Sequence, residues 1–460
     1  MPVDPRLKAQ VELILESHPD AAAFPANWAA VGDVDYLYRK GEILAREQDE
    51  TRVIQALERL FREEGEQASE RPMGADTRHI GGVVAIPVPT PPANKPQSIP
   101  EILEALDGDP QLGPGRATPN HMAFVCPHPC PASEPGEVPL GTATPFPPPG
   151  MAGPCGCPGH GGRCDGEGVF VSVLDTGWEP DAAEHPWLAG VDGMPEDTFE
   201  AGSGNIRPYA GHGTFVAGCV RCAAPKASVF VERAFEVAAA KFETDLVPVF
   251  EDALRRSPDI LVFTFTASSR HNRSLLTFDD FYERRIRHVK GPVVVAPAGN
   301  DRSRRMMYPA ASDGVVSVGA LSASWRDRAH FSNHGGWVDV YAPGEDLINA
   351  FATGTFICRE PPQGQPRHFQ GMARWSGTSF STPIVAGLIA ARMSATGENG
   401  RQAARSLLRL ARGQAIPGVG AVLYPGQACC DPRHFCQGSR HHRCHDRGRE
   451  RPRCNCAECG

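Results

Sequence analysis

The sequence predicts an α/β protein: a domain with a mainly parallel central sheet, a small α+β module before it, and a cysteine-rich tail after it. Three observations carry the prediction. From Gly168 onward, apolar runs of strand length alternate with stretches of helical periodicity, the pattern of a sheet whose strands are joined by crossover helices. Before that, residues 41–126 order themselves as strand, helix, strand, helix, strand. At the other end, Cys429, Cys430, Cys436, Cys444, Cys454, Cys456 and Cys459 crowd a segment with almost no apolar residues.

Residues 1–40 read as a mixed, mostly helical extension, with Val11 to Leu15 as a short apolar stretch. Glu42 to Arg46 reads as a strand. From Glu50 to Arg62, Val53, Ile54, Leu57, Leu60 and Phe61 recur at helical spacing. Ile80 to Val88 reads as a strand ending in a Pro-rich turn. Ser98 is a cap-type residue, Pro100 stands at a tolerated early position, and an apolar stripe follows to Leu106. Ala117 to Val125 supplies a last strand, giving a split βαβ arrangement over 41–126.

Residues 127–167 hold many Pro and Gly, including Pro145-Phe146-Pro147-Pro148-Pro149-Gly150, and read as a linker. The main domain is expected over 168–425. Its strands are expected at 169–175, 228–233, 259–265, 292–297 and 315–319, and its helices near 213–222, 245–256, 278–289, 380–394 and 400–411. The tail is 426–460.

Three motifs lie on this framework. Val171-Ser172-Val173-Leu174-Asp175-Thr176-Gly177 ends an apolar strand in an acid, where ligands gather in open parallel sheets. Gly211-His212-Gly213-Thr214 opens a helical segment with a base. Gly377-Thr378-Ser379-Phe380-Ser381-Thr382-Pro383 opens another with a hydroxyl, and Pro383 suits a first helical turn. A serine hydroxyl is a poor nucleophile near neutral pH. It needs a base beside it, and the base needs a third group to fix its tautomer. A fourth motif, Val293-Val294-Val295-Ala296-Pro297-Ala298-Gly299-Asn300, ends a strand in Gly-Asn.

Taken together, in the order Asp, His, Ser, these motifs resemble the subtilase family of serine proteases over roughly Gly168 to Pro425. Phe331-Ser332-Asn333, Val338 to Gly344 and Tyr308-Pro309-Ala310 also resemble family segments. The resemblance implies a subtilisin-like three-layer fold and an endopeptidase. It makes Ser379 the nucleophile, His212 the general acid/base, Asp175 the orienting acid and Asn300 an oxyanion donor. It assigns Thr264, Phe265, Thr266, Ala298, Gly299 and Met307 to the walls that bind substrate. It also implies that 41–126 is a propeptide-like module able to inhibit the protease from within the same chain. Two departures bear on specificity. Thr264-Phe265-Thr266 stand where the family usually has Ser-Leu-Gly, and Met307 stands where a small residue often floors the first-residue pocket.

Composition bounds the alternatives. Hydrophobic content of 41% and charged content of 22% over 460 residues are those of a globular protein. A net charge of −8 argues against a nucleic-acid-binding protein as a whole. No run of 18 apolar residues predicts a membrane span. The start, Met1-Pro2-Val3-Asp4-Pro5-Arg6, lacks a basic stretch followed by an apolar core, so a cytoplasmic protein is expected, with non-standard export as the alternative. No cofactor is required by the expected chemistry; whether calcium binds is left open. In the tail, zinc ligation, disulfides and free thiols all remain open; the arginines from Arg433 to Arg453 read as a solvated basic segment. Cys219 and Cys222 read as small core residues. Two other functions compete: a catalytically silent peptide-binding scaffold, and a zinc- or nucleic-acid-binding adaptor acting through the tail.

Overall fold

The computed structural model describes residues 4–62, 74, 76–125, 134–150, 164–360 and 362–427. The cysteines of the tail, and Cys126, Cys130, Cys155 and Cys157, lie outside the described residues.

The chain begins with α1 (Pro5–Ser17), whose N-cap Asp4 accepts from the Arg6 N–H. β1 (Ala21–Phe24), the one-turn α2 (Trp28–Val31), β2 (Tyr36–Arg46), α3 (Glu50–Phe61), β3 (Arg78–Ile80), β4 (Val83–Pro87), α4 (Ile99–Asp107) and β5 (Ala117–Phe124) follow. A full capping box starts α4, with Ser98 and Glu101 each bonding the other's backbone. One face of the sheet buries Ile43, Ala45, Val84 and Ile86 under Val53 and Leu57 of α3 and Ile102 and Leu106 of α4.

Two details depart from the sequence reading. β2 begins at Tyr36 and pairs with β1 over Ala21–Phe24, so residues 1–40 and 41–126 share a sheet. The register of β2 against β5 shifts between Tyr38 and Ile43, and Gly41 there takes φ +66, so a bulge lets one strand serve both regions. The strand expected over 80–88 is a hairpin of β3 and β4 turning at Gly81, which takes φ +67.

The second layer system comprises β6 (Phe170–Asp175), β7 (Val191–Gly193), α5 (His212–Ala223), β8 (Ser228–Arg233), β9 (Ala240–Phe242), α6 (Glu243–Arg255), β10 (Ile260–Phe263), α7 (Leu276–Phe281), β11 (Val293–Pro297), β12 (Val315–Leu321), β13 (Val340–Pro343), β14 (Leu347–Ile357), β15 (Pro366–Trp375), α8 (Thr378–Thr396) and α9 (Gly400–Gly413). Seven strands form a sheet in the order β13-β12-β11-β10-β6-β8-β7. Every pairing in it is parallel. Val171, Val173, Val262 and Val295 face α5 and α8, while Leu174, Leu261, Phe263 and Val294 face α6 and α7. Strands buried on both faces need apolar side chains at successive positions, which is why these runs are continuous rather than alternating.

From β6 the chain runs to β8 on one side and later returns to β10 on the other. Strand order therefore reverses beside β6, and the crevice opens at its carboxyl end. Five strands of this system were not expected from sequence, β7 and β13 at the sheet edges and β9, β14 and β15 outside it. The antiparallel hairpin β14–β15 stands outside the parallel sheet. β9 joins the N-terminal sheet by pairing with β5, tying both halves together.

The described parts of the expected linker are docked. Gly136 bridges Arg374, and Phe146 bridges Ile348. Glu134 accepts from the N–H groups of Arg359 and Glu360 at 2.6 and 3.3 Å. A Pro-rich stretch has no core of its own, but its remaining backbone groups satisfy an open sheet edge. Cys164 is disulfide-bonded. Among the described residues, no helix is long and apolar enough to cross a membrane.

Candidate active site

Asp175 ends β6, and His212 opens α5; both are fully buried. His212 Nδ1 lies 2.8 and 2.9 Å from the two carboxylate oxygens of Asp175. Asp175 Oδ1 also accepts the Thr176 N–H at 2.7 Å. A carboxylate so placed holds the imidazole with its proton on Nδ1 and leaves Nε2 to work as a base. The far faces of the ring are packed by Trp375, edge-on at 5.3 Å, and Phe380 at 5.0 Å. Gly213 must be glycine for this approach, because a Cβ there would meet the Gly177 carbonyl at 2.3 Å.

Ser379 stands in the first turn of α8 and is 2% exposed. Its hydroxyl lies 3.4 Å from the Val125 carbonyl and 3.4 Å from the Thr264 carbonyl. Asn300, just past β11, accepts with Oδ1 from both the Thr378 N–H and the Thr378 hydroxyl, each at 2.9 Å. That pair of bonds fixes the amide orientation, so the NH₂ group is the end turned away from Thr378. Asn300 is thereby fixed against Thr378, the residue before Ser379.

The expected substrate walls divide. Thr264 is anchored by its hydroxyl to the Leu174 carbonyl at 2.8 Å. Thr266 exchanges both backbone hydrogen bonds with Phe124, each at 3.0 Å. Its hydroxyl has no partner among the described residues. Phe265 is a correction: its side chain enters the core with Phe235, Phe250 and Phe263, because alternation along the segment sends it to the opposite face. Met307 is fully buried and would lie 3.1 Å from a Cβ on Gly299, which itself takes φ +95. Ala298 is buried and bonded through its N–H to the Val318 carbonyl at 2.8 Å.

The cleft holds part of the chain itself. β5 runs antiparallel to β9, and the Val125 N–H bonds the Ala239 carbonyl at 3.0 Å. On its other side Phe124 pairs with Thr266. Phe124–Val125 is thus an extended segment between two strands, ending at Ser379. Leu7, Val11 and Ile14 of α1 share a cluster with Phe124.

Residues 166–415 match the subtilase family. The chain belongs to the subtilase family. It is 30% identical over 250 residues to subtilisin-like protease 2 of Arthroderma otae, covering 50% of this chain and 50% of that protein. The protein of that name from Trichophyton verrucosum is likewise 30% identical, over 51% of its length. The chain spans about half the length of the curated relatives it matches. Among solved structures, fervidolysin from Fervidobacterium pennivorans, a keratinolytic enzyme related to subtilisin, aligns over 85% of this chain and 61% of its own, with a TM-score of 0.52 and 18% identity. The fold is subtilisin-like, with an additional α+β N-terminal region.

In this subtilase, several residues of the site carried no role in the sequence reading. Asn333 accepts from the N–H groups of Asp301 and Ser303 and donates to the Ala298 carbonyl, all within 3.0 Å, so it pins the loop bearing Asn300. In the sequence, Phe331-Ser332-Asn333 shows only a likeness to family segments. Trp375 and Phe380, which pack His212, lie close to Ser379 in sequence but gave no pattern. Cys219 and Cys222 are buried, and burial pushes the Cys222 thiol up to about 12, so neither offers a thiolate. Among the described residues, no group of three or more His, Cys, Asp or Glu is placed to hold a metal ion.

Proposed function

We propose that this subtilase is a serine endopeptidase and that Asp175, His212, Ser379 and Asn300 carry the reaction. Ser379 Oγ attacks the scissile carbonyl carbon as His212 Nε2 takes its proton. The carbonyl π pair moves to oxygen, where the Asn300 NH₂ and the Ser379 N–H receive the charge. Collapse breaks the C–N bond, and His212 returns the proton to the leaving amine. Water then repeats the sequence on the acyl-enzyme. The observation that carries this reading is the buried His212–Asp175 pair at 2.8 Å, with the imidazole packed on Phe380, the residue after Ser379. Asn300→Ala is expected to lower kcat by about 10²–10³, the usual loss for one oxyanion donor; an effect confined to KM would reject its role. Neither the silent scaffold nor the adaptor reading gains support from the relatives.

Peptide substrate would lie extended between the Ala239–Ala240 edge and Thr266, as Phe124–Val125 does now. Supporting a restricted first-residue pocket are β-branched Thr266 and buried Met307. Small or medium side chains are therefore expected there over Phe and Tyr. Thr266→Gly removes bulk without breaking a side-chain hydrogen bond among the described residues. A peptide-library profile should shift toward aromatics by about tenfold, the scale of one or two methylenes in a pocket; an unchanged profile would show that Thr266 does not line it.

The N-terminal region is read as an inhibitor in the same chain. In support, β5 delivers Phe124–Val125 to the strand that would pair with substrate, and polar contacts hold the module down. His121 Nδ1 meets Glu243 at 2.9 Å, Asn120 donates to Thr244 at 2.9 Å, and Arg39 reaches Asp245 at 2.8 Å.

A further inference from the structure

Glu196 lies on the loop after β7, in a stretch, Pro195-Glu196-Asp197, that reads as exposed and acidic. Its backbone is fixed to the segment after Asp175: the Trp178 N–H bonds the Met194 carbonyl at 2.9 Å, and the Glu196 N–H bonds the Trp178 carbonyl at 3.1 Å. Part of its stem meets solvent, but its carboxyl points inward. Oε2 accepts the Gly211 N–H at 2.8 Å, and the nearby Thr176 side chain helps hold the carboxyl pKa down. Oε1 is buried with no hydrogen-bond partner among the described residues.

These contacts reach both halves of the Asp–His pair. Gly211 immediately precedes His212 and takes φ +81; a Cβ there would meet the Phe351 ring at 2.5 Å. Thr176 follows Asp175, donates its N–H to Asp175 Oδ1, and accepts the Gly213 N–H on its hydroxyl at 3.1 Å. A single residue thus joins the segment after the acid, through Trp178, to the residue before the base. Nothing in the proposed reaction uses Glu196 directly.

We propose that Glu196 is a positioning residue for the reaction proposed above, setting the Asp175–His212 geometry by tying the backbone after Asp175, through Trp178, to Gly211. This rests on the peptidase reading only for its catalytic consequence; the geometry is testable without turnover.

Its protonation state follows from the surroundings. Burial pushes the Glu196 carboxyl up to about 8; the Thr176 and Gly211 hydrogen bonds oppose this, and the negative charges of Asp175 and Glu179 add to it. Arg233, bonded to the Pro195 carbonyl at 3.3 Å, and Asp197, paired with Arg207 at 3.1 Å, are the other charged groups nearby. Near pH 7 Glu196 is therefore mainly neutral. The unfolded chain releases this proton at the ordinary carboxyl pKa of 4.5, so folding is progressively disfavoured as pH rises from there toward 8. A neutral glutamine would not carry that dependence.

The test uses the full chain with Ser379→Ala, which blocks turnover. The Nδ1 proton of His212, held by Asp175, gives a strongly downfield proton resonance. In the parent this resonance should shift as Glu196 ionises, with a midpoint near pH 8. In Glu196→Gln the shift should vanish while the resonance remains, and the gain in Tm over the parent should grow between pH 5 and pH 8. Comparison with the glutamine variant separates Glu196 from the titration of His212 itself. In Glu196→Leu the resonance should be lost or broadened at every pH. A leucine variant with the parental resonance, or a glutamine variant with the parental pH response, overturns the proposal. Should the leucine variant not fold, the glutamine comparison decides alone. A chain that proves to have no peptidase activity would still give these spectra, so failure of the function and failure of this assignment are told apart.

Discussion

Ser379→Ala is expected to abolish both hydrolysis and labelling by a fluorophosphonate probe. Removing the nucleophile leaves only water, the oxyanion donors and binding, and losses of several orders of magnitude accompany such a change in enzymes of this mechanism. The expectation follows from position: Ser379 begins a long buried helix, with the Asn300 amide oriented by the residue next to it. Replacing His212 should cost nearly as much, because the two act as one unit and their losses do not add. Full labelling of the alanine variant would move the nucleophile elsewhere and sink the assignment. Labelling in the parent should be slow while Phe124–Val125 fills the cleft, so rates are to be compared before and after limited cleavage.

The second large effect concerns that occupancy. Arg270 of the protease domain is 5% exposed and bonds Glu104 and Asp107 of the N-terminal module at 2.6 and 2.8 Å. Replacing both acids by alanine leaves the protease domain untouched yet strands a buried guanidinium whenever the module is docked. Truncating one side of a buried charge pair costs about 2–5 kcal/mol at an interface; exposure of Glu104 places this case at the lower end. Peptide hydrolysis by the full chain should rise about tenfold or more. The neighbouring Asn120, His121 and Glu243 contacts would remain, so the module should loosen without being lost. An unchanged rate, with the module's folding intact by circular dichroism, would favour a permanent domain that does not restrain the site. α1 bears on the same point, since Leu7, Val11 and Ile14 cluster with Phe124 and would have to lift before the segment could leave.

The placement of the four motifs at strand and helix ends was legible because each motif is local. Val171 to Leu174 is apolar enough to demand burial on both sides, so Asp175 must fall at a strand end. Gly377-Thr378-Ser379 before a small, apolar run must open a buried helix. Spacing and residue type settle such matters within one segment, and the strands and helices of 168–425 appear within a few residues of their expected places. The specificity walls were legible only in part. Alternation turns Phe265 into the aromatic core between two cleft-side threonines, and which parity faces the cleft depends on the neighbour that each strand finds.

By itself the sequence determined the set and order of chemical groups, the parallel α/β framework and an α+β N-terminal region, since these follow from residue chemistry and short-range periodicity. Only the tertiary structure decided three further matters. β9 pairs with β5 and not with the central sheet, Phe124 lies against Thr266, and the Glu196 carboxyl accepts the Gly211 N–H. Each is a contact between segments distant in the chain, fixed by shape and hydrogen-bond geometry after the layers have packed. An acid in a polar loop looks the same in sequence whether its carboxyl faces water or turns inward to bond the backbone beside His212.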